Sequence, residues 1–218
     1  MIRGTVVVMV KEPRPGRVKT RLARGIGSVP AAWWFRHQVA SLLRRVRDPR
    51  WRLVLAVSPD AEGLASRAWP AELPRLPQGR GDLGARMARL LALPGPVLVI
   101  GGDIPGITPT HLARGFAALA TKDAVFGPAP DGGYWLIGMS ARRAPPGFLK
   151  NVRWSTANAL ADSVATLGGR RIGLIDMLDD IEHWQVSKHH ARRSDHGQVV
   201  VRLDWDRRPR DKDHDDDD

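Results

Sequence analysis

The first ten residues constrain this chain more than any other part of it. Thr5–Val10 (TVVVMV) is a continuous apolar run of mostly β-branched side chains. A strand with one wet face alternates polar and apolar residues. An unbroken run is the pattern of a strand buried on both faces of a parallel sheet, and such sheets need helical crossovers. The chain supplies them. Arg52–Ser58 (RLVLAVS), Pro96–Ile100 (PVLVI), Ala124–Phe126, Tyr134–Gly138 and Arg171–Ile175 read as further strands. Between them lie segments of helical period.

Pro30 opens a helix whose Trp34, Val39, Leu42, Leu43 and Val46 form a stripe. Ala61–Trp69 and Leu83–Leu93 are helical segments stopped by Pro70 and Pro94. Thr108 is placed to cap a helix that has Pro109 at its first position and Leu112, Phe116 and Leu119 on one face. Ser155–Leu167 reads as helical, and Asp179–Ser187 as the start of a last helix. The expected fold class is α/β, a single Rossmann-like domain with a mostly parallel central sheet flanked by helices. This domain is expected over residues 1–186. Residues 187–218 form a polar extension, whose last dozen residues, rich in Asp, have the composition of disorder.

The chain has no cysteine, which excludes disulfides, thiolate metal sites and a cysteine nucleophile. No apolar run approaches the ~20 residues that span a bilayer. The first strand starts too early for a secretory leader, so a cytoplasmic protein is expected. The net charge of +11 suits a phosphorylated ligand or nucleic acid. Its arginines are scattered, however, and its aromatics do not interleave with them on a recognisable nucleic-acid module, so nucleic acid is not the expected partner. His37 and His111 lie inside expected helices and read as solvent-facing or core residues, and Trp33, Trp34 and Trp51 read as packing residues.

In open α/β sheets, ligands bind outside the carboxyl ends of the strands, so the loops that follow strands are the informative ones. KEPRPGRVKTRL (residues 11–22) follows the first. Gly16 admits backbone conformations closed to other residues, Pro13 and Pro15 stiffen the loop, and Lys19 and Arg21 bring charge. The pattern suits phosphate but is neither a Walker A loop nor a GxGxxG fingerprint, and composition alone slightly favours a solvated basic turn. GGDIPGI (residues 101–107) puts Asp103 at the end of a central strand, where it could hold a divalent cation bridging two phosphates or cap a turn. GPAPDGGYWLIG puts Asp131 before a strand, as a ligand loop or as a simple hairpin.

Taken in order, these blocks resemble a family. KEPRPGRVKTRL, QGRGDLGARM, GGDIPG, PAPDGGYWLIG and Trp154-Ser155-Thr156 are similar to the rSAM/selenodomain-associated transferase family, glycosyltransferases by assignment, within the nucleotide-diphospho-sugar transferase (GT-A) superfamily. Its neighbours include molybdenum-cofactor and 2-phospho-lactate guanylyltransferases. The resemblance implies a GT-A fold and a metal-dependent transferase that uses Mg²⁺ or Mn²⁺ and an activated nucleotide donor. Glycosyl transfer from a nucleotide-sugar to an unidentified small-molecule acceptor is the expected reaction. Nucleotidyl transfer from a nucleoside triphosphate, with release of pyrophosphate, is the alternative, and a non-catalytic nucleotide- or RNA-binding protein is the contrasting class. A homodimer is compatible with the family.

By the same resemblance, Lys11, Gly16, Lys19 and Arg21 serve the donor phosphates, with Lys19, Arg21 and Asp103 the catalytic group. Gly81, Asp82, Leu83, Gly84 and Arg86 form the loop beside the nucleotide. Asp103 is the metal aspartate. Asp131, Gly132, Gly133 and Tyr134 line the acceptor pocket. The family's C-terminal D-V-D-T-P-E-D-L corresponds to MLDDIEHW (residues 177–184), which makes Asp179 the second metal ligand. This chain lacks the Thr-Pro there, so Asp180 and Glu182 are alternatives.

Overall fold

The computed structural model describes residues 4–104, 106–142, 144–178, 191–193 and 199–201. By its internal contacts the chain divides into two compact units, Met1–His183 and Trp184–Asp218. In the second, β8 (Ala191–Arg193) and β9 (Val199–Val201) pair antiparallel.

The first unit is built on one seven-stranded sheet. Its strands are β1 (Thr5–Lys11), β2 (Arg52–Ser58), β3 (Arg75–Pro77), β4 (Val97–Gly101), β5 (Ala124–Pro128), β6 (Tyr134–Met139) and β7 (Ile172–Leu174), in the order β3-β2-β1-β4-β6-β5-β7. β1 lies between β2 and β4, parallel to both. Every second residue of β1 faces one side: Val6, Val8 and Val10 join one apolar cluster, and Val7 joins the other. Because helices cover both clusters, the strand has no wet face, which is why its sequence does not alternate.

On the first side lie α2 (Ser28–Val46), with Phe35, Val39, Leu42, Leu43 and Val46 buried, and α5 (Pro109–Leu119), with Leu112, Phe116 and Leu119 buried. On the second lie α4 (Leu83–Leu91) and α6 (Ala159–Ala165). Short α1 (Thr20–Ile26) and α3 (Asp60–Leu64) follow β1 and β2, and α1 buries no residue. Thr108 caps α5 as its sequence predicts. His111 completes a capping box, its Nδ1 accepting from the Thr108 backbone N–H. His111 is thus a structural residue of the helix start.

The expected elements differ from the observed ones in two places that matter. β3, three residues long, is too short to register as an apolar run. β6 runs antiparallel to both β4 and β5, so GPAPDGG is a hairpin turn after all. The hairpin does not remove this turn from the ligand end of the sheet. β5 points the same way as β4, so its turn emerges beside the loops that follow β1, β3 and β4. The expected helix at Asp179–Ser187 lies outside the described residues.

Candidate active site

The loop after β1 is fastened at both ends. Glu12 N–H donates to the Ser58 carbonyl at the end of β2 (2.8 Å), and Val18, the apolar residue among the basic ones, is buried in the α2-side core. Between them Pro13–Arg17 bulges to solvent, with Gly16 at φ 77°, a left-handed conformation that favours glycine. Lys19 follows Val18 in a left-handed conformation of its own (φ 45°, ψ 48°) at the start of α1. Its Nζ lies 2.8 Å from Asp103 Oδ2 across the β1–β4 edge. The Lys19 side chain is 10% exposed and that of Asp103 32%. The structure therefore joins residues 84 positions apart in sequence into one ion pair at the carboxyl ends of β1 and β4. Lys11 and Arg21 are exposed, at the end of β1 and in the first turn of α1.

Asp103 sits on a backbone pressed against β1: Gly102 N–H donates to the Met9 carbonyl (3.1 Å), and a Cβ at Gly102 would meet Val10, Val39 and that carbonyl. A carboxylate this close to the strand end, with part of its surface open, is a hard oxygen donor suited to Mg²⁺ or Mn²⁺. Among the described residues, no group of three or more His, Cys, Asp or Glu is arranged to hold a metal ion. Asp179 lies outside the described residues. Leu178, just before it, donates its backbone N–H to the Pro128 carbonyl at the end of β5 (3.1 Å), so the chain reaches the ligand end of the sheet there.

The loop between β3 and α4 forms the third part. Asp82 caps α4 by accepting from Ala85 N–H (2.8 Å), and Arg86 Nε donates to the Gly81 carbonyl (3.0 Å). Gly81 has φ 104°, Leu83 is exposed, and Gly84 is buried where a Cβ would run into the Leu149 carbonyl. The residue that fastens this loop to the sheet is Gln78, 4% exposed. Its Nε2 donates to the Val10 carbonyl (3.1 Å) and the Ala56 carbonyl (2.9 Å), tying β1 to β2, and its own carbonyl accepts from Arg89. Sequence reasoning gave Gln78 no role, although it opens the QGRGDLGARM block. A glutamine shows its importance only when the strand ends it joins are known.

At the fourth part, Asp131 Oδ1 accepts from Gly133 N–H (2.8 Å), which shapes the turn. Gly132, at φ 82°, packs on the Ala157 backbone and accepts from Leu160 N–H. Tyr134 points away from solvent. Its ring lies edge-on to Phe126 and Trp154, its hydroxyl is 3.1 Å from Ser163 Oγ, and burial pushes its pKa up.

With this geometry in view, the comparisons are direct. A family model described as "Uncharacterized protein conserved in bacteria (DUF2064)" matches residues 42–156, more than half of the chain. The chain belongs to the DUF2064 family. The match takes in Gln78–Met87, Asp103 and the 128–138 turn and strand, while the loop after β1 lies upstream of it. A crystal structure from Desulfovibrio desulfuricans G20, whose naming as a nucleotide-diphospho-sugar transferase is provisional, is 26% identical. It covers 83% of each chain with a TM-score of 0.74. The DUF2064 chain thus has the α/β, GT-A-like fold that its motifs imply. A manganese complex of Rv0371c from Mycobacterium tuberculosis H37Rv is 16% identical over 84% of this chain and 94% of that one, with a TM-score of 0.47. A 4-diphosphocytidyl-2C-methyl-D-erythritol synthase from Anaerococcus prevotii is 10% identical over 80% and 87%, with a TM-score of 0.48. Both superpose too loosely to bear on this chain's chemistry. No curated protein matches the chain.

Proposed function

We propose that this DUF2064 chain is a metal-dependent transferase that moves a glycosyl group from a nucleotide-sugar to a small acceptor. The observation that carries the reading is the Lys19–Asp103 pair at the carboxyl ends of β1 and β4, where a parallel sheet places its ligands. The likeness to the Desulfovibrio protein supports a nucleotide-diphospho-sugar as donor.

The residues fit a divalent ion. Mg²⁺ takes one or two carboxylates and completes its shell with substrate phosphates and water, so Asp103 with Asp179 would suffice. Bound there, the ion would neutralise charge on the donor phosphates. Lys19, Arg21 and Lys11 bring fixed positive charge to the same phosphates from the loop after β1. As the bond to the sugar breaks, negative charge gathers on the leaving diphosphate, and cations already in place stabilise that state more than the ground state. The loop from Gly81 to Arg86, held through Gln78 and the Asp82 cap, receives the nucleoside. Asp131, Gly132 and Gly133 face the acceptor, while Tyr134 supports their turn from beneath. Charge stabilisation of this kind needs no protein nucleophile.

The test is incubation with Mg²⁺ or Mn²⁺ and a panel of nucleotide-sugars and nucleoside triphosphates, with the phosphorus products identified. Release of nucleoside diphosphate from a nucleotide-sugar is expected. Pyrophosphate from a triphosphate would replace glycosyl with nucleotidyl transfer, and silence from every donor would overturn the transferase reading. Lys19→Ala, checked for an unchanged fold by circular dichroism, should lose on the order of 10²–10³ in rate, the scale of one prepositioned charge contact.

A further inference from the structure

α2 carries two unlike faces. Phe35, Val39, Leu42 and Val46 face the core. Val29, Trp33, Arg36, Ala40 and Arg44 follow one another at intervals of three and four residues, so they line the opposite face. Trp33 was expected to pack, yet it is 63% exposed and Val29 64%, two of the most exposed large apolar side chains among the described residues. Trp33 is stiffened by His37, whose ring centroid lies 3.9 Å away and whose Nδ1 is 3.0 Å from the Trp33 carbonyl. Arg24, at the end of α1 just before the Gly27 turn, is exposed like Arg36 and Arg44. None of the three has a carboxylate partner among the described residues. From Pro13 to Arg47 the sequence contains no Asp or Glu. Among the described residues, the carboxylates that reach this region from other elements are already engaged: Glu62 by Arg14 and Arg17, Glu72 by Arg47, and Asp103 by Lys19.

We propose that this face of α2 docks on an anionic lipid bilayer, with Val29 and Trp33 entering the headgroup region and Arg36 and Arg44 set against the lipid phosphates. The arrangement is that of an interfacial amphipathic helix whose inner side is held by a folded core rather than by lipid. Tryptophan favours the membrane–water boundary, and arginines on a flat face are drawn to anionic headgroups. A helix of 19 residues, about 28 Å long, can touch several headgroups at once. Single-stranded nucleic acid would use Trp33 for stacking but has no use for Val29 beside it. A second copy of the chain, meeting this face with its own, would set arginine against arginine with no acid between them. The proposal does not depend on the transferase reading.

The experiment is co-sedimentation of the full chain with vesicles of phosphatidylcholine alone or mixed with phosphatidylglycerol, at low and at raised salt. The wild type should bind the mixed vesicles, bind the neutral ones weakly, and bind less as salt rises. The double variant V29S/W33S should lose about tenfold or more in partitioning through lost apolar burial. R36E/R44E should lose the preference for anionic lipid. All four positions are exposed, so both variants should keep the wild-type circular dichroism and urea midpoint. Equal binding of wild type and V29S/W33S, or equal binding to neutral and anionic vesicles, would overturn the proposal. So would Trp33-dependent binding of a single-stranded oligonucleotide, or a Trp33-dependent dimer in solution, with no binding to vesicles.

Discussion

On the proposed function, Lys19 and a metal ion would contend for the same oxygen. Lys19 Nζ is 2.8 Å from Asp103 Oδ2, and the lysine holds a left-handed backbone to reach it, a conformation that costs roughly 1–2 kcal/mol outside glycine. An ion arriving at Asp103 alone would have to share the carboxylate with an ammonium group. An ion arriving with a donor would give Lys19 a phosphate to move to. Metal and donor should therefore bind more tightly together than separately. Removing the ammonium should separate the two effects. Lys19→Met is expected to bind Mn²⁺ without nucleotide about fivefold more tightly, the scale of about 1 kcal/mol for a partly exposed pair, and to lose the gain from added nucleotide. Titration of Mn²⁺ by electron paramagnetic resonance reads both quantities. An unchanged Mn²⁺ affinity in Lys19→Met would show that the pair does not govern the site.

The end of β3 depends on Gln78 in a way that a longer strand would not. β3 has three residues paired with β2, and just after it one buried side chain joins β2 to β1 through the Val10 and Ala56 carbonyls. Gln78→Leu keeps the volume and leaves both carbonyls without this donor. It should lower stability by about 2–6 kcal/mol, from roughly 1–3 kcal/mol for each of the two buried groups stranded, read as a shift in the urea midpoint. A change under half a kcal/mol would mean that water takes the place of the amide. Gln78 also marks where sequence reading stops. β1, β2, β4 and the Thr108 cap were legible because local pattern determines them: unbroken apolar runs, and a hydroxyl before Pro109. The gathering of Lys19, Asp103 and Asp131 at the carboxyl ends of strands was legible because each lies in a loop that follows a strand. The direction of β6 and the burial of Gln78 and Tyr134 depend on which strands become neighbours. No window of the sequence contains that information.

Among the described residues, the perturbed acidic groups are held by arginines. Hydrogen bonding to Arg50 and Arg153 brings Asp48 and Asp162 each down to about 2, and Arg47 lowers Glu72. The Arg171 backbone N–H, with the Arg142 and Arg171 charges, lowers buried Asp123, and Arg114 lowers Asp176. Each shift has the same sign, which fixes the pH dependence. An unfolded carboxylate titrates near 4, so between about pH 4 and pH 2 the unfolded chain binds protons that the folded one refuses. The stabilising contribution is complete above that window and is lost as pH falls through it. The net charge of +11 acts in the same direction, since every proton taken up adds to the self-repulsion of an already cationic fold. The urea midpoint should therefore stay nearly level from pH 7 to pH 5 and fall steeply below about pH 4. Asp162→Asn should lower the neutral-pH plateau and flatten the fall, because its carboxylate no longer contributes a protonation difference. A decline centred near pH 6 would contradict this account.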